Sequence, residues 1–311
     1  MNPRSATLAT RSVQIINVPI DLGASRRGTD GGPSAMRVAG LGAALTKQGL
    51  DVLTEKDTFV PAMETRVSKR CDARFRAEIL AVCTELAATT RQALVDGATP
   101  VIIGGDHSVA MGTVAGVSAH YRSQGEDIGL LWFDAHGDMN LPETSPSGNI
   151  HGMPLAHLLG LGDPELANIA GFAPAVKPEN VALIGIRSID PDERAVIREA
   201  GITTFTMRDI DELGMAEVSR RALEVVTSDT TGFHVSFDVD GCDPEVIPGS
   251  GTLVGGGVSF REAHQLLENC ADTAQMTSIE VVELNPFLDH GNVSAERAVT
   301  LVQSAFGRSV L

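Results

Sequence analysis

Three short stretches of this chain set acidic and imidazole side chains at spacings that could serve one reaction. In Leu130–Asp138 an apolar run ends in Asp134-x-His136-x-Asp138. If extended geometry continues past the run, alternate side chains share a face and these three project together. Two carboxylates and an imidazole so placed repel and desolvate one another unless a cation joins them. A solvated strand end with chance spacing fits the same residues. Val235–Asp243 repeats the design, a β-rich run leading into Asp238-x-Asp240. Asp243 stands before Pro244 and fits a simple turn. A lone Asp-x-Asp is weak evidence, but two clusters at equivalent strand ends reinforce each other. The third stretch, Gly104-Gly105-Asp106-His107-Ser108, offers His107 as a second imidazole. A helix-start histidine bonded to backbone is the alternative there. A phosphate-binding loop would need GxxxxGK[ST], which is missing.

Together, four aspartates (Asp134, Asp138, Asp238, Asp240) and two histidines (His107, His136) suit two divalent cations, whose charge the carboxylates balance. An oxygen-rich set with some imidazole favours a hard or borderline metal such as Mn²⁺, with zinc and iron still compatible by ligand type. Paired metals can hold hydroxide at neutral pH, so the reaction class is hydrolysis at an electrophilic carbon or phosphorus.

The elements that must position these residues alternate along the chain. Strand-like runs cover Val13–Pro19, Pro100–Ile103, Gly129–Phe133, Asn180–Ile184, Phe233–Asp238 and Ser278–Leu284. Helical patterns cover Pro33–Gln48, Phe75–Val95, Val109–Tyr121, Asp192–Ala200, Met215–Val226, Phe260–Asn269 and Ala295–Phe306. Such alternation predicts an α/β fold with a central, mainly parallel sheet covered on both faces. Nearly every unusual polar cluster follows a strand directly, where ligand crevices of open parallel sheets lie. The longest irregular stretch, Asp134–His151, begins at one such point. No linker divides the 311 residues, which predicts one domain over 1–311, with 1–12 as a flexible tail.

Composition narrows the partners. Lys and Arg total 24 against 40 Asp and Glu, a net charge of −16, with no basic patch dense enough for nucleic acid. The same balance disfavours an anionic membrane surface, and no apolar run reaches the ~18 residues of a membrane span. The opening residues lack the apolar stretch of a signal peptide. Four cysteines (Cys71, Cys83, Cys242, Cys270) form no C-x-x-C pair. They predict inert thiols in a reducing, cytoplasmic setting, with a redox role for Cys242 as the weaker alternative.

The segments GGDHS (104–108), DAHGDMN (134–140), SGNIHGMP (147–154), SFDVDGCDP (236–244), GTLVGGGVSFRE (251–262) and EVVELNP (280–286) resemble, in order, those of the ureohydrolase family, and within it the arginase branch. The stretch PIDLGASRRGTDGGPSAMR is similar to the opening loop and helix of bacterial arginases. The resemblance implies a three-layer α/β/α fold with about eight strands and two Mn²⁺ per subunit. One ion would be held by His107, Asp134, Asp138 and Asp238, the other by Asp134, His136, Asp238 and Asp240, with Asp134 and Asp238 bridging. It further implies L-arginine as substrate, converted to L-ornithine and urea by a hydroxide held between the metals. Asp138 would relay a proton, His151 would shuttle one at the mouth, and Glu283, helped by Thr252, would pair with the guanidinium. Asn140, Ser147 and Asn149, with Ser145 through water, would hold the α-carboxylate, and Asp190 and Glu193 the α-ammonium. Ordinary turn chemistry is the weaker alternative for the loop residues, and helix N-terminus stabilisation the alternative for Asp192 or Glu193.

The metal ligands are shared by agmatinases, guanidinobutyrases and formiminoglutamases, so only the recognition loops favour arginine. A catalytically silent binding protein and a phosphatase are the readings from other classes. Leu253 stands where the family usually has Pro, and Glu143 lies in the loop between Asn140 and Ser147. The resemblance also suggests a homotrimer or hexamer.

Overall fold

The computed structural model describes residues 11–308. Its strands are β1 (Ser12–Asn17), β2 (Asp51–Val52), β3 (Lys56–Asp57), β4 (Thr99–Ile103), β5 (Gly129–Phe133), β6 (Val181–Ile186), β7 (Thr203–Thr206), β8 (Phe233–Asp238) and β9 (Met276–Val282). They form one nine-stranded sheet in the order β2-β1-β4-β9-β8-β5-β6-β7, with β3 also paired to β1. All the strand pairings are parallel. The expectation of about eight strands is corrected to nine.

Both faces of the sheet are covered, and this explains why the strands read as continuous apolar runs. Ile15, Val101, Ile103, Leu131, Phe133, Val235, Phe237, Ile279 and Val281 share one core with the helices Gly32–Val38, Met215–Val226, Phe260–Asp272 and Val293–Ala305. Their neighbours Ile16, Ile102, Leu130, Trp132, Val181 and Leu183 point to the opposite face, under Arg76–Val95, Ala110–Arg122 and Pro154–Leu158. The period-two alternation is intact, but each side meets a helix layer.

The second face holds two apolar clusters rather than one. Between them runs a buried polar seam. His234 pairs in register with Ser278, and Ser236 with Glu280. The His234 Nδ1 and Ser278 Oγ lie 2.8 Å apart, and the Ser236 hydroxyl donates to Glu280 Oε1 at 2.7 Å.

Several expected elements differ for identifiable reasons. The predicted helix Pro33–Gln48 is two helices, Gly32–Val38 and Leu41–Lys47, because Gly40 takes a left-handed conformation (φ 82°) between them. The unexpected strands β2 and β3 have two residues each, too few for any periodicity, and β7 (TTFT) carries one aromatic among threonines. The helix Met207–Leu213 is short and rich in charge, so no apolar stripe announced it. The predicted tail falls outside the described residues except for Arg11 and Ser12. Ser12 opens β1, and Arg11 donates to Thr99 Oγ1 at 2.8 Å and to the Met276 carbonyl at 2.7 Å.

The helices Arg76–Val95 and Ala110–Arg122 pack unusually closely. A Cβ on Gly112 would lie 2.6 Å from the Cys83 carbonyl oxygen, and one on Gly116 2.5 Å from that of Ala87. The Gly116→Ala substitution should therefore lower the melting temperature by several degrees. Overpacking costs about 1–3 kcal/mol, against the roughly 1 kcal/mol that alanine gains over glycine within a helix. A melting temperature that rises instead would show that the two helices separate freely.

Candidate metal centre

The site stands over the C-terminal ends of four adjacent strands in the middle of the sheet, β4, β9, β8 and β5. Each contributes the residues that follow its last hydrogen-bonded position. His107 comes after β4, Asp134, His136 and Asp138 after β5, and Glu283 after β9. Asp238 closes β8, and Asp240 lies in the 3-10 turn beyond it.

Convergence is achieved by turns, which corrects the expectation of continued strand geometry. Asp134 Oδ1 accepts from the His136 backbone N–H at 2.7 Å. Asp238 Oδ1 accepts from Asp240 N–H at 2.8 Å, and Asp106 Oδ1 from Ser108 N–H at 3.0 Å. In all three cases an aspartate bonds the backbone two residues on, the local bond that short acidic side chains favour over an extended ladder. Asp138 and Glu283 go further and take positive φ (51° and 62°), a backbone state that costs of order 1 kcal/mol or more for such residues. The Asp138 carbonyl is clamped by the N–H groups of Leu155 (3.1 Å) and Ala156 (3.4 Å) at the start of Pro154–Leu158.

Six side chains meet. His107 Nδ1 faces Asp134 Oδ2 at 3.2 Å, Asp138 Oδ2 at 3.0 Å and Asp238 Oδ2 at 3.1 Å. His136 Nδ1 lies 3.3 Å from both Asp134 Oδ1 and Asp240 Oδ2. These make two candidate metal clusters, His107–Asp134–Asp238 and Asp134–His136–Asp240, with Asp134 common to both. The tautomer of His107 tests the fit. The Ser236 hydroxyl hydrogen goes to the Glu280 carboxylate, so Ser236 Oγ is left to accept from His107 Nε2–H at 2.8 Å. In the neutral ring that a metal requires, Nδ1 then carries a lone pair; with no cation there, burial is outweighed by the three carboxylates, which raise the basicity of the imidazole well above its ordinary value, and a proton takes that place. Nδ1 is buried, has no hydrogen-bond partner among the described residues, and points at three carboxylate oxygens. Lone pair against anion is repulsive unless a cation lies between, so the donor set fits a metal. Trp132 fixes the same corner, stacking on the His107 ring at 4.2 Å and donating to Asp134 Oδ2 at 3.0 Å.

A cleft of about 150 Å³ opens above these groups, and every residue expected to touch substrate lines it: Asn140, Ser145, Ser147, Asn149, His151, Asp190, Glu193, Thr252 and Glu283. Glu283 Oε1 accepts from His107 N–H at 2.8 Å and lies 2.9 Å from His151 Nδ1, leaving Oε2 without a partner among the described residues. Burial lowers the basicity of His151, but the charge of Glu283 and its hydrogen bond outweigh that and hold the imidazole at about 9. Burial and the Asp134 charge push Asp138 up to about 6. The Thr252 hydroxyl donates to Asp240 Oδ2 at 2.7 Å, which leaves its oxygen to accept at the cleft that it lines.

The recognition loops are wired by polarity. Ser145 Oγ accepts from Gly148 N–H at 3.0 Å and Ser147 Oγ from Asn149 N–H at 3.2 Å, so both hydroxyl hydrogens remain to be donated. Asn149 Oδ1 accepts from Ser25 Oγ (3.0 Å) and from an Arg74 guanidinium N–H (3.2 Å), so its Nδ2 hydrogens likewise remain. Asn140 is more committed, its Nδ2 donating to Asp190 Oδ2 at 3.0 Å and its Oδ1 accepting from Thr144 at 3.0 Å. Asp190 and Glu193 do form a capping box on Pro191–Ala200. Glu193 also accepts from Met139 N–H at 2.9 Å, and burial pushes its carboxyl up to about 7 against that bond. Asp192 is exposed, and so is Glu143, which does not line the cleft.

Sequence reasoning missed Asp106, Trp132, Ser236, Glu280, Arg74 and Ser25. Two were accessible from alternation alone, because Trp132 precedes Asp134 by two residues and Ser236 precedes Asp238 by two. Gly105 permits a close backbone approach. A Cβ there would fall 1.7 Å from the Ile20 carbonyl oxygen, so this glycine lets the loop before β4's histidine lie against the chain after β1. Among the described residues no helix is long and apolar enough to cross a membrane.

A family model described as the arginase family matches residues 11–307. An arginase from Bacillus caldovelox is 46% identical over 97% of this chain and 100% of its own length. Its native crystal structure superposes with a TM-score of 0.92 at 45% identity, covering 97% of this chain and 100% of that one. An Entamoeba histolytica arginase solved in complex with L-ornithine has a TM-score of 0.89 at 34% identity, covering 97% and 100%.

The packed carboxylates predict that stripping divalent cations destabilises the fold. Chelator-treated, metal-free protein should melt several degrees lower than protein returned to Mn²⁺, because a ligand that binds only the folded state adds its binding free energy to stability. Equal melting temperatures at verified zero and full metal content would rule out a cation at this site.

Proposed function

The chain belongs to the arginase family and is a hydrolase of L-arginine, giving L-ornithine and urea; we propose that it works with two Mn²⁺ and the following division of labour among its own side chains. The observation that carries it is the pair of buried His/Asp clusters sharing Asp134, with the His107 Nδ1 lone pair aimed into one of them. His107, Asp134, Asp138 and Asp238 would hold one ion, and Asp134, His136, Asp238 and Asp240 the other. Manganese is favoured by the oxygen-rich set with only two imidazoles. Bound there, the two cations supply the Lewis acidity that makes water nucleophilic at neutral pH.

The remaining groups bind, orient and move protons. Glu283 Oε2, unpartnered at the cleft floor, takes the guanidinium in a charge-assisted contact. Asp138 Oδ1, which accepts no hydrogen bond within the described chain, receives the proton lost by water. It passes that proton to the departing amine as the C–N bond breaks and the C–O bond forms. His151 sits half-buried between Glu283 and the mouth and exchanges protons with solvent. Thr252 orients Asp240 through its hydroxyl hydrogen and keeps its oxygen for the guanidinium beside Glu283.

Substrate choice follows from polarity at the rim. Ser145, Ser147 and Asn149 each accept a hydrogen bond from within the protein and keep hydrogens to donate, which suits a carboxylate. Asp190 and Glu193 present carboxylates opposite, which suits an ammonium. Asn140 holds Asp190 in place and contributes its second Nδ2 hydrogen. An α-amino acid head group satisfies both sides at once, whereas agmatine lacks the carboxylate.

A single domain over 1–311 is supported by the one continuous sheet. Cytoplasmic residence is supported by four free thiols, three of them buried. Assembly as a homotrimer or hexamer rests on family resemblance.

The Mn²⁺-loaded protein should release urea and L-ornithine from L-arginine with kcat/KM at least about 100-fold above that for agmatine or 4-guanidinobutyrate, the discrimination that buried unpaired polar groups allow. The Asn149→Asp substitution should hurt arginine far more than agmatine. A preference for agmatine in the unaltered protein would remove arginine as the substrate.

A further inference from the structure

Five carboxylates line the cleft (Asp138, Asp190, Glu193, Asp238, Glu283), and among the described residues no Lys or Arg does. With a net charge of −16 on the chain, an anionic substituent meets an unfavourable field at this mouth. Behind the carboxylate side of the rim stands Arg74. Arg74 donates from Nη1 to Asn149 Oδ1 at 3.2 Å and to Ser25 Oγ at 3.0 Å, while Ser25 Oγ itself donates to the same Asn149 oxygen at 3.0 Å. The neighbouring arginines are neutralised: Arg70 by Asp72 at 2.7 Å and Arg76 by Asp163 at 2.5 Å, with Glu165 also on Arg76. Arg74 has no carboxylate at ion-pair distance among the described residues.

The backbone fixes this placement. Arg74 N–H donates to the Gly148 carbonyl at 2.8 Å. Gly148 has φ 67°, and a Cβ there would lie 1.8 Å from the Cys71 carbonyl oxygen, so the 71–74 and 147–149 segments are stacked backbone on backbone. Arg74 also lies over the Phe75 ring at 5.8 Å, at the start of Arg76–Val95.

We infer that Arg74 is the specificity-determining positioning residue for the substrate carboxylate, acting through Asn149. A guanidinium can only donate, so it admits only the oxygen of the Asn149 amide on its side and turns Nδ2 toward the cleft. The charge-assisted bond polarises that amide and strengthens its remaining N–H donors. Its unneutralised charge offsets the acidic cleft for an entering anion. Arg74 touches neither the guanidinium end nor the metal ligands, so its effect falls on binding of the carboxylate end. This rests on the rim reading given above.

Three ligands separate the outcomes: L-arginine, L-ornithine, and 1,4-diaminobutane, which is ornithine without its carboxylate. In Arg74→Met the KM for L-arginine and the competitive Ki for L-ornithine should rise about tenfold or more, the loss expected for one charge-assisted hydrogen bond. The kcat and the Ki for 1,4-diaminobutane should stay within about twofold. Arg74→Lys, which keeps a cationic donor, should recover most of the loss. Matched melting temperatures and metal contents exclude general damage. Equal weakening of ornithine and 1,4-diaminobutane, or no change in either, overturns the inference. An unaltered protein that does not hydrolyse L-arginine would instead overturn the functional reading beneath it.

Discussion

Mutual repulsion among buried carboxylates is the constraint around which this molecule is arranged. Asp134, Asp138, Asp238 and Asp240 are all buried, with His107 and His136 between them. No fold gathers four such anions for stability's sake, since each charge taken from water costs several kcal/mol after relaxation. Three of the four are braced by donors from the surrounding chain: Trp132 and the His136 amide on Asp134, the Asp240 amide on Asp238, Thr252 and the Ala135 amide on Asp240. These bonds fix how each of the three carboxylates is turned toward the imidazoles.

The same logic of spent and unspent donors organises the ligand cleft. A hydroxyl or amide has both donor and acceptor capacity, so composition alone does not decide what it recognises. At Ser145, Ser147 and Asn149 bonds accepted from within the protein orient the side chain and leave its hydrogens to be donated. Neutral side chains thereby become a receptor for an anion, with no arginine among the described residues that line the cleft. The buried seam of His234, Ser278, Glu280 and Ser236 works likewise on the far side of the metal centre, and selects the ring nitrogen that His107 presents.

How much of this was legible before the fold was known follows from the range of each signal. The six converging ligands and the strands β5 and β8 were readable to the residue, because long apolar runs ending in Asp-x-Asp or Asp-x-His are local and sharp. The bond from Thr252 to Asp240, by contrast, left no signal, since a hydroxyl's partner depends on where two loops cross. Gly40 looked like a helical residue because flanking alanines and leucines carry the pattern across it. The β2, β3 and β7 strands left no trace, being made by register against a neighbour rather than by their own sequence. Arg74 was invisible for a similar reason: nothing in its own segment tells that it backs a loop some 75 residues away.

The strand order carries a further consequence, for how the protein comes into being. β8 and β9 are the last two strands in the chain, yet they are inserted in the middle of the sheet, between β4 and β5. The first two-thirds of the chain, through β7 at Thr206, thus holds two sheet fragments on leaving the ribosome, β1–β4 and β5–β7, whose adjoining edges must stay unpaired until β8 and β9 follow. The mature sheet closes by late intercalation of central strands, a route dominated by contacts distant in sequence and correspondingly slow. Those open inner edges are the part of the nascent chain with most need of protection from other strands.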